Sequence, residues 1–237
     1  MRLTTIGFDA DDTLWHNERF FTLTQARFTE LMAAHAPPEH LAERLLAAER
    51  RNIGHYGFGV KGFTLSMIET ALEVSEGRVP GPVIAEILAA GREMLSHPIE
   101  LLPGARDTVA ALAGAFRLVL ITKGDLLDQE RKLAQSGLGD FFDAVEIVSD
   151  KTAAIYTGAF TRHGSGAAQG MMIGNSLKSD VNPMLDAGGW GVHVPHDLTW
   201  PLEHAEARDT DPRFHRIEAL SLLPGLIRQI EMSFIEP

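Results

Sequence analysis

A short, mainly apolar strand that runs into a cluster of acidic residues decides the fold: residues 3–13 read LTTIGFDADDT. The segment LTTIGF is typical of a buried β-strand, since strands covered on both faces of a parallel sheet lack a polar side. The strand ends at Asp9, and Asp11 follows two positions later. Open α/β sheets bind their ligands outside the carboxyl ends of the strands. The sequence therefore predicts a functional site at the end of this first strand.

A helical block follows the first strand. It shows four helical patterns and no strand pattern, the first running from Asn17 to Pro37 and the others near 39–53, 62–75 and 81–95. The interval from Asp9 to Thr122, the polar end of the next strand, is 113 residues. Because one βαβ unit needs roughly 30 residues, the helical block is best explained as an insert. An insert at this position is expected to lie over the ligand crevice.

Strands and helices alternate in the remainder of the chain. Apolar runs that end in polar residues predict four further strands, at 118–121, 144–148, 170–173 and 190–194. This alternation indicates an α/β fold, with a doubly wound parallel-sheet (Rossmann-like) core and an inserted all-helical cap. We expect residues 1–15 and 98–237 to form the core and residues 16–97 to form the cap.

Polar residues recur at the strand ends with a constant interval. Lys151 follows Thr122 by 29 residues, and Asp180 follows Lys151 by another 29. This interval is close to the length of one βαβ unit, roughly 30 residues. Each of these side chains is therefore expected at the same edge of the sheet, together with Asp9 and Asp11.

The residue types gathered at this edge suit phosphoryl transfer. A carboxylate such as Asp9 can attack phosphorus in line and form an aspartyl-phosphate, which divides one hard hydrolysis into two easier steps. A second acid, Asp11, can protonate the leaving oxygen and later deprotonate the incoming water. Lys151 and the Thr122 hydroxyl suit the equatorial oxygens of the transferring group. Clustered carboxylates also favour Mg²⁺, which prefers one or two carboxylates, several waters and a phosphate oxygen.

Four segments, taken in order, resemble the motifs of the haloacid dehalogenase-like (HAD) hydrolase superfamily. They are FDADDTL at 8–14, LVLIT at 118–122, the lysine at 151 and GNSLKSD at 174–180. The resemblance extends over residues 1–15 and about 100–195. The helical insert falls where members of this family carry a C1-type cap.

The resemblance implies a role for each matching residue. Asp9 corresponds to the nucleophile and Asp11 to the general acid/base of the family. Thr122 and Lys151 correspond to phosphate-binding residues. The resemblance further implies that Mg²⁺ is held by Asp9, the Asp11 carbonyl and Asp180.

Two features of this sequence complicate the assignment. The fourth motif usually opens with aspartate, whereas this chain has Asn175. An amide oxygen can ligate a metal or a metal-bound water but brings no charge, so we expect weaker Mg²⁺ binding at an otherwise working site. In addition, Lys123 directly follows Thr122 and is a rival to Lys151 as a phosphate-binding residue.

Substrate selection is assigned to the insert. In C1-capped relatives, a loop between cap helices reaches the site and selects the leaving group. The glycine-rich segment 54–62, which contains Lys61, is the candidate for that loop here. Lys61 is accordingly predicted to bind substrate, although a plain turn between helices has the same composition.

Composition excludes several classes of function. The 237 residues include 21 Lys+Arg and 32 Asp+Glu, and this net charge of −11 argues against nucleic-acid binding. The absence of cysteine excludes disulfides and thiolate metal sites. No apolar run approaches the ~18 residues of a membrane span. The ten histidines show no H-x-x-x-H spacing on a helix, which argues against zinc. We expect a cytoplasmic protein, either monomer or homodimer, that binds neither nucleic acid nor membrane.

These observations favour a Mg²⁺-dependent phosphatase that hydrolyses a small phosphorylated metabolite. A phosphomutase is an alternative on the same scaffold, and it would have to protect its aspartyl-phosphate from water. A 2-haloacid dehalogenase is another, since it also uses the first aspartate but attacks carbon and needs no metal. Asp11 favours phosphoryl chemistry over dehalogenation because it can protonate a leaving oxygen. A non-catalytic binding module has no support in the sequence, which retains the nucleophile and its partners.

Overall fold

The computed structural model describes residues 2–234. Residues 1 and 235–237, which the sequence assigns to the core, lie outside the described residues. The chain forms two compact units: one comprises Met1–His16, Ile99–Lys123 and Gln129–Pro237, and the other Asn17–Pro98 and Gly124–Asp128. The second unit therefore contains the helical insert and a short segment that follows the second strand.

A six-stranded sheet forms the centre of the first unit. Its strands are β1 (Thr5–Phe8), β2 (Arg117–Lys123), β3 (Ala144–Val148), β4 (Gly170–Gly174), β5 (Trp190–His193) and β6 (Phe214–Arg216). All neighbouring strands are parallel, in the order β3-β2-β1-β4-β5-β6. The central strand, β1, places Phe8 opposite Leu120 of β2 and Ile173 of β4. The predicted α/β fold class with a parallel sheet is confirmed.

The second unit is helical. It contains α1 (Glu18–Met32), α2 (Pro38–Tyr56), α3 (Val60–Val74) and α4 (Gly81–Ser96). Their apolar faces form a separate core, to which α1 contributes Phe28 and α3 contributes Phe63. Only residues 57–59 of the glycine-rich segment 54–62 lie outside helices, because α2 continues to Tyr56 and α3 begins at Val60. The loop is therefore shorter than the sequence suggests.

Helices cover both faces of the sheet. They are α5 (Ala105–Leu112), α6 (Leu126–Ser136), α7 (Ala153–His163), α8 (Asn182–Asp186) and α9 (Leu223–Ser233). Successive residues of β2 point to opposite faces, so Leu120 packs in a cluster with α5 and α9, while Ile121 packs in a cluster with α7 and α8. Gly7 of β1 is required by this packing, because a Cβ there would lie 2.9 Å from the Phe160 ring.

The sequence predicts that strand 190–194 is the last, and this is wrong. Residues 214–216 add β6 at the edge of the sheet beside β5. A strand of three residues is too short to show an alternating pattern, and its pairing with β5 makes it a strand. None of the helices within residues 2–234 combines the length and the apolar character that crossing a bilayer requires.

Candidate active site

Asp9, Lys151 and Asp180 lie together at the carboxyl edge of the sheet, and we call them the nucleophile cluster after the role that the sequence predicts for Asp9. Asp9 directly follows β1, Lys151 lies in the loop between β3 and α7, and Asp180 lies in a π-helical turn after β4. The Lys151 ammonium binds Asp9 Oδ1 and lies 2.7 Å from Asp180 Oδ1. All three side chains are buried. The intervals in the sequence predicted this convergence, and one lysine cation is shared between two carboxylates.

The cluster has a strong effect on its own ionisation. Burial and the neighbouring Asp180 carboxylate raise the pKa of Asp9 to about 7, against the lowering effect of Lys151. The Asp11 carboxylate also raises the pKa of Asp9, which shows that the two acidic groups of the first motif interact. Burial lowers the pKa of Lys151, but Asp180 and Asp9 outweigh burial and keep it above its usual value. Lys151 is thus a permanent cation between two carboxylates.

Thr13, which is itself bound by Asn175, holds the remaining oxygen of Asp9. The Thr13 hydroxyl donates to Asp9 Oδ2 at 2.9 Å and accepts from the Asn175 backbone N–H at 3.0 Å. The Asn175 amide oxygen lies 3.4 Å from the same hydroxyl. His193 Nε2 lies 3.0 Å from the Asn175 carbonyl oxygen, and burial lowers the pKa of this histidine, so the neutral ring donates there. These bonds tie the loop after β1 to the loop after β4.

The residues around Asp180 explain its placement. A Cβ at Gly174 would lie 2.2 Å from Asp180 Oδ2, so only glycine leaves room for this carboxylate against the strand end. The Ser176 N–H donates to Asp180 Oδ2 at 3.0 Å, and the Ser176 side chain accepts from the Ser179 N–H at 2.9 Å. The buried Tyr156 hydroxyl donates to the Ser179 carbonyl at 2.9 Å. The π-helical turn is therefore fixed at both ends.

Asp11 has a different set of partners, and we call Asp11, Trp15, Gln129 and Lys132 the Asp11 cluster. Trp15 Nε1 donates to Asp11 Oδ1 at 2.7 Å, and Gln129 Nε2 donates to Oδ2 at 2.8 Å. The Lys132 ammonium lies 3.0 Å from Oδ1 and 3.2 Å from Oδ2. The Asp11 side chain is 21% exposed, whereas that of Asp9 is 8% exposed. The carboxylate of Asp11 is thus held firmly while it keeps access to solvent.

The donor atoms expected to hold Mg²⁺ are chemically suited to it. Asp9 and Asp180 offer carboxylate oxygens, Asn175 offers an amide oxygen and Asp11 offers its backbone carbonyl. Hard oxygen donors of this kind are the usual ligands of Mg²⁺. Two buried carboxylates face one lysine cation, which leaves a surplus of negative charge when both are ionised, and the Asp180 carboxylate is, after burial, the second cause of the raised pKa of Asp9. A hard dication would reduce that surplus, so the residues present fit the metal.

The other predicted phosphate-binding and substrate-binding residues lie in different surroundings. Thr122 is buried near the end of β2, where the register with β1 puts it at the same edge of the sheet. Lys123 donates to Ser179 Oγ at 2.8 Å and to Glu203 Oε1 at 2.5 Å. Lys61 lies in the first turn of α3, and its ammonium is 3.2 Å from Asp125 Oδ1 within the second unit.

Sequence reasoning missed Glu203 and the three partners of Asp11. The Glu203 carboxylate accepts hydrogen bonds from Lys123, Ser176 and Ser179, and although burial raises its pKa, Lys123 and the hydroxyls bring it below its usual value. No pattern in the sequence marks it, because it lies in an irregular segment after β5. The partners in helix α6 carry no sequence signal either, because the burial of four polar residues of this helix is seen only in the structure, namely Asp128, Gln129, Lys132 and Ser136. Their helical spacing defines a polar face that is turned away from solvent.

Comparisons with known proteins agree with this architecture. A family model described as haloacid dehalogenase-like hydrolase matches residues 3–188. The structure is similar to that of a haloacid dehalogenase-like family hydrolase from Xanthomonas campestris, with 39% identity, 98% of this chain and 93% of that chain covered, and a TM-score of 0.87. No curated protein matches the chain at the required significance.

Two more distant structures share the fold. One is the HAD hydrolase YfnB from Bacillus subtilis, bound to magnesium, with 19% identity, 96% and 99% of the two chains covered, and a TM-score of 0.68. The other is L-2-haloacid dehalogenase from Xanthobacter autotrophicus with chloropropionic acid covalently bound, with 18% identity, 95% and 98% covered, and a TM-score of 0.61. Since the family model covers most of the chain, this protein belongs to the haloacid dehalogenase-like hydrolases.

Proposed function

We propose that this hydrolase is a Mg²⁺-dependent phosphatase that removes phosphate from a small phosphorylated metabolite. The observation that carries the proposal is the pair of carboxylates, Asp9 and Asp11, in one motif with separate partners. One is buried in the nucleophile cluster and the other keeps contact with solvent. Hydrolysis of a phosphate ester needs both a nucleophile and a proton donor for the leaving oxygen. A cytoplasmic location and the absence of nucleic-acid or membrane partners belong to the same proposal.

In the proposed reaction, the Asp9 carboxylate attacks phosphorus and the bond to the ester oxygen breaks. Asp11 donates a proton to that leaving oxygen and then accepts a proton from the water that hydrolyses the aspartyl-phosphate. Lys151 holds Asp9 in place and offers positive charge to the transferring oxygens. The Thr122 hydroxyl donates a hydrogen bond to the same oxygens. Thr13 orients the second Asp9 oxygen.

Magnesium would be held by Asp9, Asp180, Asn175 and the Asp11 carbonyl, and it would supply neutralisation of the phosphoryl charge. The Bacillus subtilis structure described above contains magnesium on a similar fold. Because Asn175 replaces a charged ligand, we propose that the affinity for Mg²⁺ is lower than with two aspartates in this loop. Asn175 remains close to Asp9 through their common contact with Thr13.

Dehalogenation of a 2-haloacid is the second candidate, and a specific observation favours it. Three donors already occupy the Asp11 carboxylate, while Lys151 compensates part of the charge on Asp9 and Asp180. Attack on carbon needs only the Asp9 carboxylate, because a halide leaves without a proton. The L-2-haloacid dehalogenase from Xanthobacter autotrophicus is similar in fold, and its structure contains chloropropionic acid covalently bound.

Two assays on the same enzyme preparation separate the candidates. The first follows hydrolysis of p-nitrophenyl phosphate with Mg²⁺, with excess chelator, and after Mg²⁺ is restored. The second follows halide release from 2-chloropropionate in the presence of chelator. We expect phosphate release that chelation abolishes and Mg²⁺ restores, with no halide release. Halide release that persists in chelator, with no phosphate release, would replace the phosphatase proposal by the dehalogenase.

A further inference from the structure

A second group of metal-ligating side chains lies beside the nucleophile cluster without belonging to it. Asp12, His16 and His196 each place one ligand atom so that all three lie within 4.8 Å of one another. We call them the histidine cluster. The Asp12 and His196 side chains are 6% and 13% exposed, so they are largely shielded from bulk water. The histidine cluster brings together the loop after β1 and the segment after β5.

The loop after β1 holds two of these ligands on a rigid support. Asp12 and His16 are four residues apart, and the chain between them folds back so that the Asp12 N–H donates to the Trp15 carbonyl at 2.7 Å. The His16 N–H donates to the Glu100 carbonyl at 3.0 Å, and the Trp15 side chain is fully buried. Asp12 also adopts a left-handed backbone with a φ of 60°. These constraints fix the backbone positions of Asp12 and His16.

The third ligand is oriented by its own backbone. His196 Nδ1 lies 2.9 Å from the Leu198 carbonyl and 3.2 Å from the Leu198 N–H. In the tautomer that carries its proton on Nδ1, the ring donates to the Leu198 carbonyl and keeps a lone pair on Nε2. A backbone carbonyl bound to one ring nitrogen is the usual arrangement when the other nitrogen ligates a metal.

His196 Nε2 faces Asp12 at a distance that suits a shared cation. It lies 3.6 Å from Asp12 Oδ1, which is beyond hydrogen-bond distance. With zinc–ligand bonds of about 2.1 Å, two ligands of a tetrahedral Zn²⁺ are roughly 3.4 Å apart. The rings of His16 and His196 meet edge to face, with centroids 5.9 Å apart. A small movement of side chains would thus bring three ligands onto one ion.

We propose that Asp12, His16 and His196 form a binding site for a transition-metal dication such as Zn²⁺. Two imidazoles and one carboxylate select borderline metals of this kind over Mg²⁺, which prefers oxygen ligands only. The site is separate from the proposed Mg²⁺ ligands, and it would clamp the motif segment between Asp11 and Asn17 to the segment after β5. The absence of H-x-x-x-H spacing argues against zinc ligands on a single helix, whereas His16 and His196 lie far apart in the chain.

The test is a titration of the purified protein with Co²⁺, followed by its visible absorption, in buffer containing excess Mg²⁺. Zn²⁺ affinity is then measured by competition with a chromophoric chelator. We expect one ion per chain, and we expect His16→Gln and His196→Gln each to weaken binding by more than about 100-fold, since even an outer-shell partner is worth about 10–100-fold. His204→Gln, which removes an exposed histidine, and Asp180→Asn, which alters the nucleophile cluster, should both bind Co²⁺ as the parent protein does.

Several results would overturn the proposal. They are the absence of visible Co²⁺ binding by the parent protein, unchanged affinity in His196→Gln, or loss of binding in Asp180→Asn alone. Circular dichroism establishes whether each variant is folded. Should a histidine variant fail to fold, histidine-ring NMR of the parent protein decides. Zn²⁺ must then shift the signals of two histidines and leave that of His204 in place, and a spectrum without such shifts refutes the site.

Discussion

The nucleophile cluster and the Asp11 cluster contain carboxylates that are only two positions apart in the sequence, yet the negative charges of these carboxylates are compensated in different ways. Asp9 shares the single cation Lys151 with a second acid, Asp180. Asp11 is bound by the cation Lys132 and by two further neutral donors. With its aspartates ionised, the first cluster therefore carries one surplus negative charge, whereas the Asp11 cluster contains one carboxylate and one cation.

The difference in charge between the two clusters indicates where a cation and a substrate can be accommodated. A balanced group gains little from an added dication, whereas a buried group with surplus negative charge gains much. The pKa of Asp9 is raised first by burial and then by the Asp180 carboxylate, and only the second of these causes reflects the surplus charge. The following predictions test this contrast, from the largest expected effect to the smallest.

Asp9→Asn is expected to reduce turnover of p-nitrophenyl phosphate to background while the fold remains intact. The change replaces the attacking oxygen and removes like-charge repulsion with Asp180. Steady-state kinetics and circular dichroism provide the measurement. Asp209→Asn, an exposed aspartate of the same unit, is the matched control and should retain full turnover. Near-normal turnover in Asp9→Asn would show that the nucleophile is another residue.

Asp11→Asn is expected to lower kcat by about 10²–10⁴-fold, the usual worth of general acid–base catalysis. The amide oxygen can still accept from Trp15, so the loss should reflect proton transfer rather than misfolding. The comparison of an aryl phosphate, which has a good leaving group, with an alkyl phosphate sharpens the test. The alkyl ester should suffer the larger loss, and equal losses on both esters would assign Asp11 a structural role.

Gly174→Ala is expected to weaken Mg²⁺ binding by about 10–100-fold, as the loss of an outer-shell partner does. The added Cβ would lie 2.2 Å from Asp180 Oδ2, so this carboxylate must move. We also expect a decrease of about 1–3 kcal/mol in the free energy of unfolding, typical of overpacking. Isothermal titration calorimetry and denaturant unfolding measure the two effects.

The control for this substitution is Gly158→Ala in α7, where the added Cβ meets nothing within 4 Å. Since alanine is the better helix former, Gly158→Ala should stabilise by up to about 1 kcal/mol and leave Mg²⁺ affinity unchanged. If both variants bind Mg²⁺ like the parent protein, Asp180 does not take part in metal binding.

Lys61→Ala carries the smallest expected effect. If Lys61 binds substrate, KM for an anionic metabolite phosphate should rise by about two- to fivefold, the worth of an exposed charge interaction. A small aryl phosphate should be affected much less, because its leaving group carries no charge to recognise. Arg78→Ala, which removes another exposed cation of the second unit, is the control. Equal changes for both substrates, or none, would remove Lys61 from the substrate-binding residues.

Much of the fold and the centre of the candidate site followed from the sequence. Asp9, Lys151 and Asp180 could be predicted because strand ends of a parallel sheet meet at one edge, and the chain returns to that edge at a regular interval. Position along the chain therefore carried spatial information. The same reasoning placed Thr122 at the end of β2 and Asn175 directly after β4, as the structure has them.

The remaining partners could not be found in this way. Gln129 and Lys132 lie within a helix, where polar residues usually face solvent, and only tertiary packing buries them. Glu203 lies in an irregular segment whose path depends on contacts with Ser176, Ser179 and Lys123. A periodic pattern cannot encode such contacts, because they join residues that no local rule relates.

The π-helical turn Leu177–Val181 has a consequence for how this site could be altered or lost. A π turn holds one residue more than an α-helical turn. The Ser179 carbonyl accepts from the Tyr156 hydroxyl, since Pro183, four residues further on, has no N–H to donate. Deleting a single residue here would let an ordinary helix form, which turns by about 100° per residue. Asp180 would then rotate away from Lys151. A one-codon deletion in this turn would therefore remove one of the proposed Mg²⁺ ligands from the site.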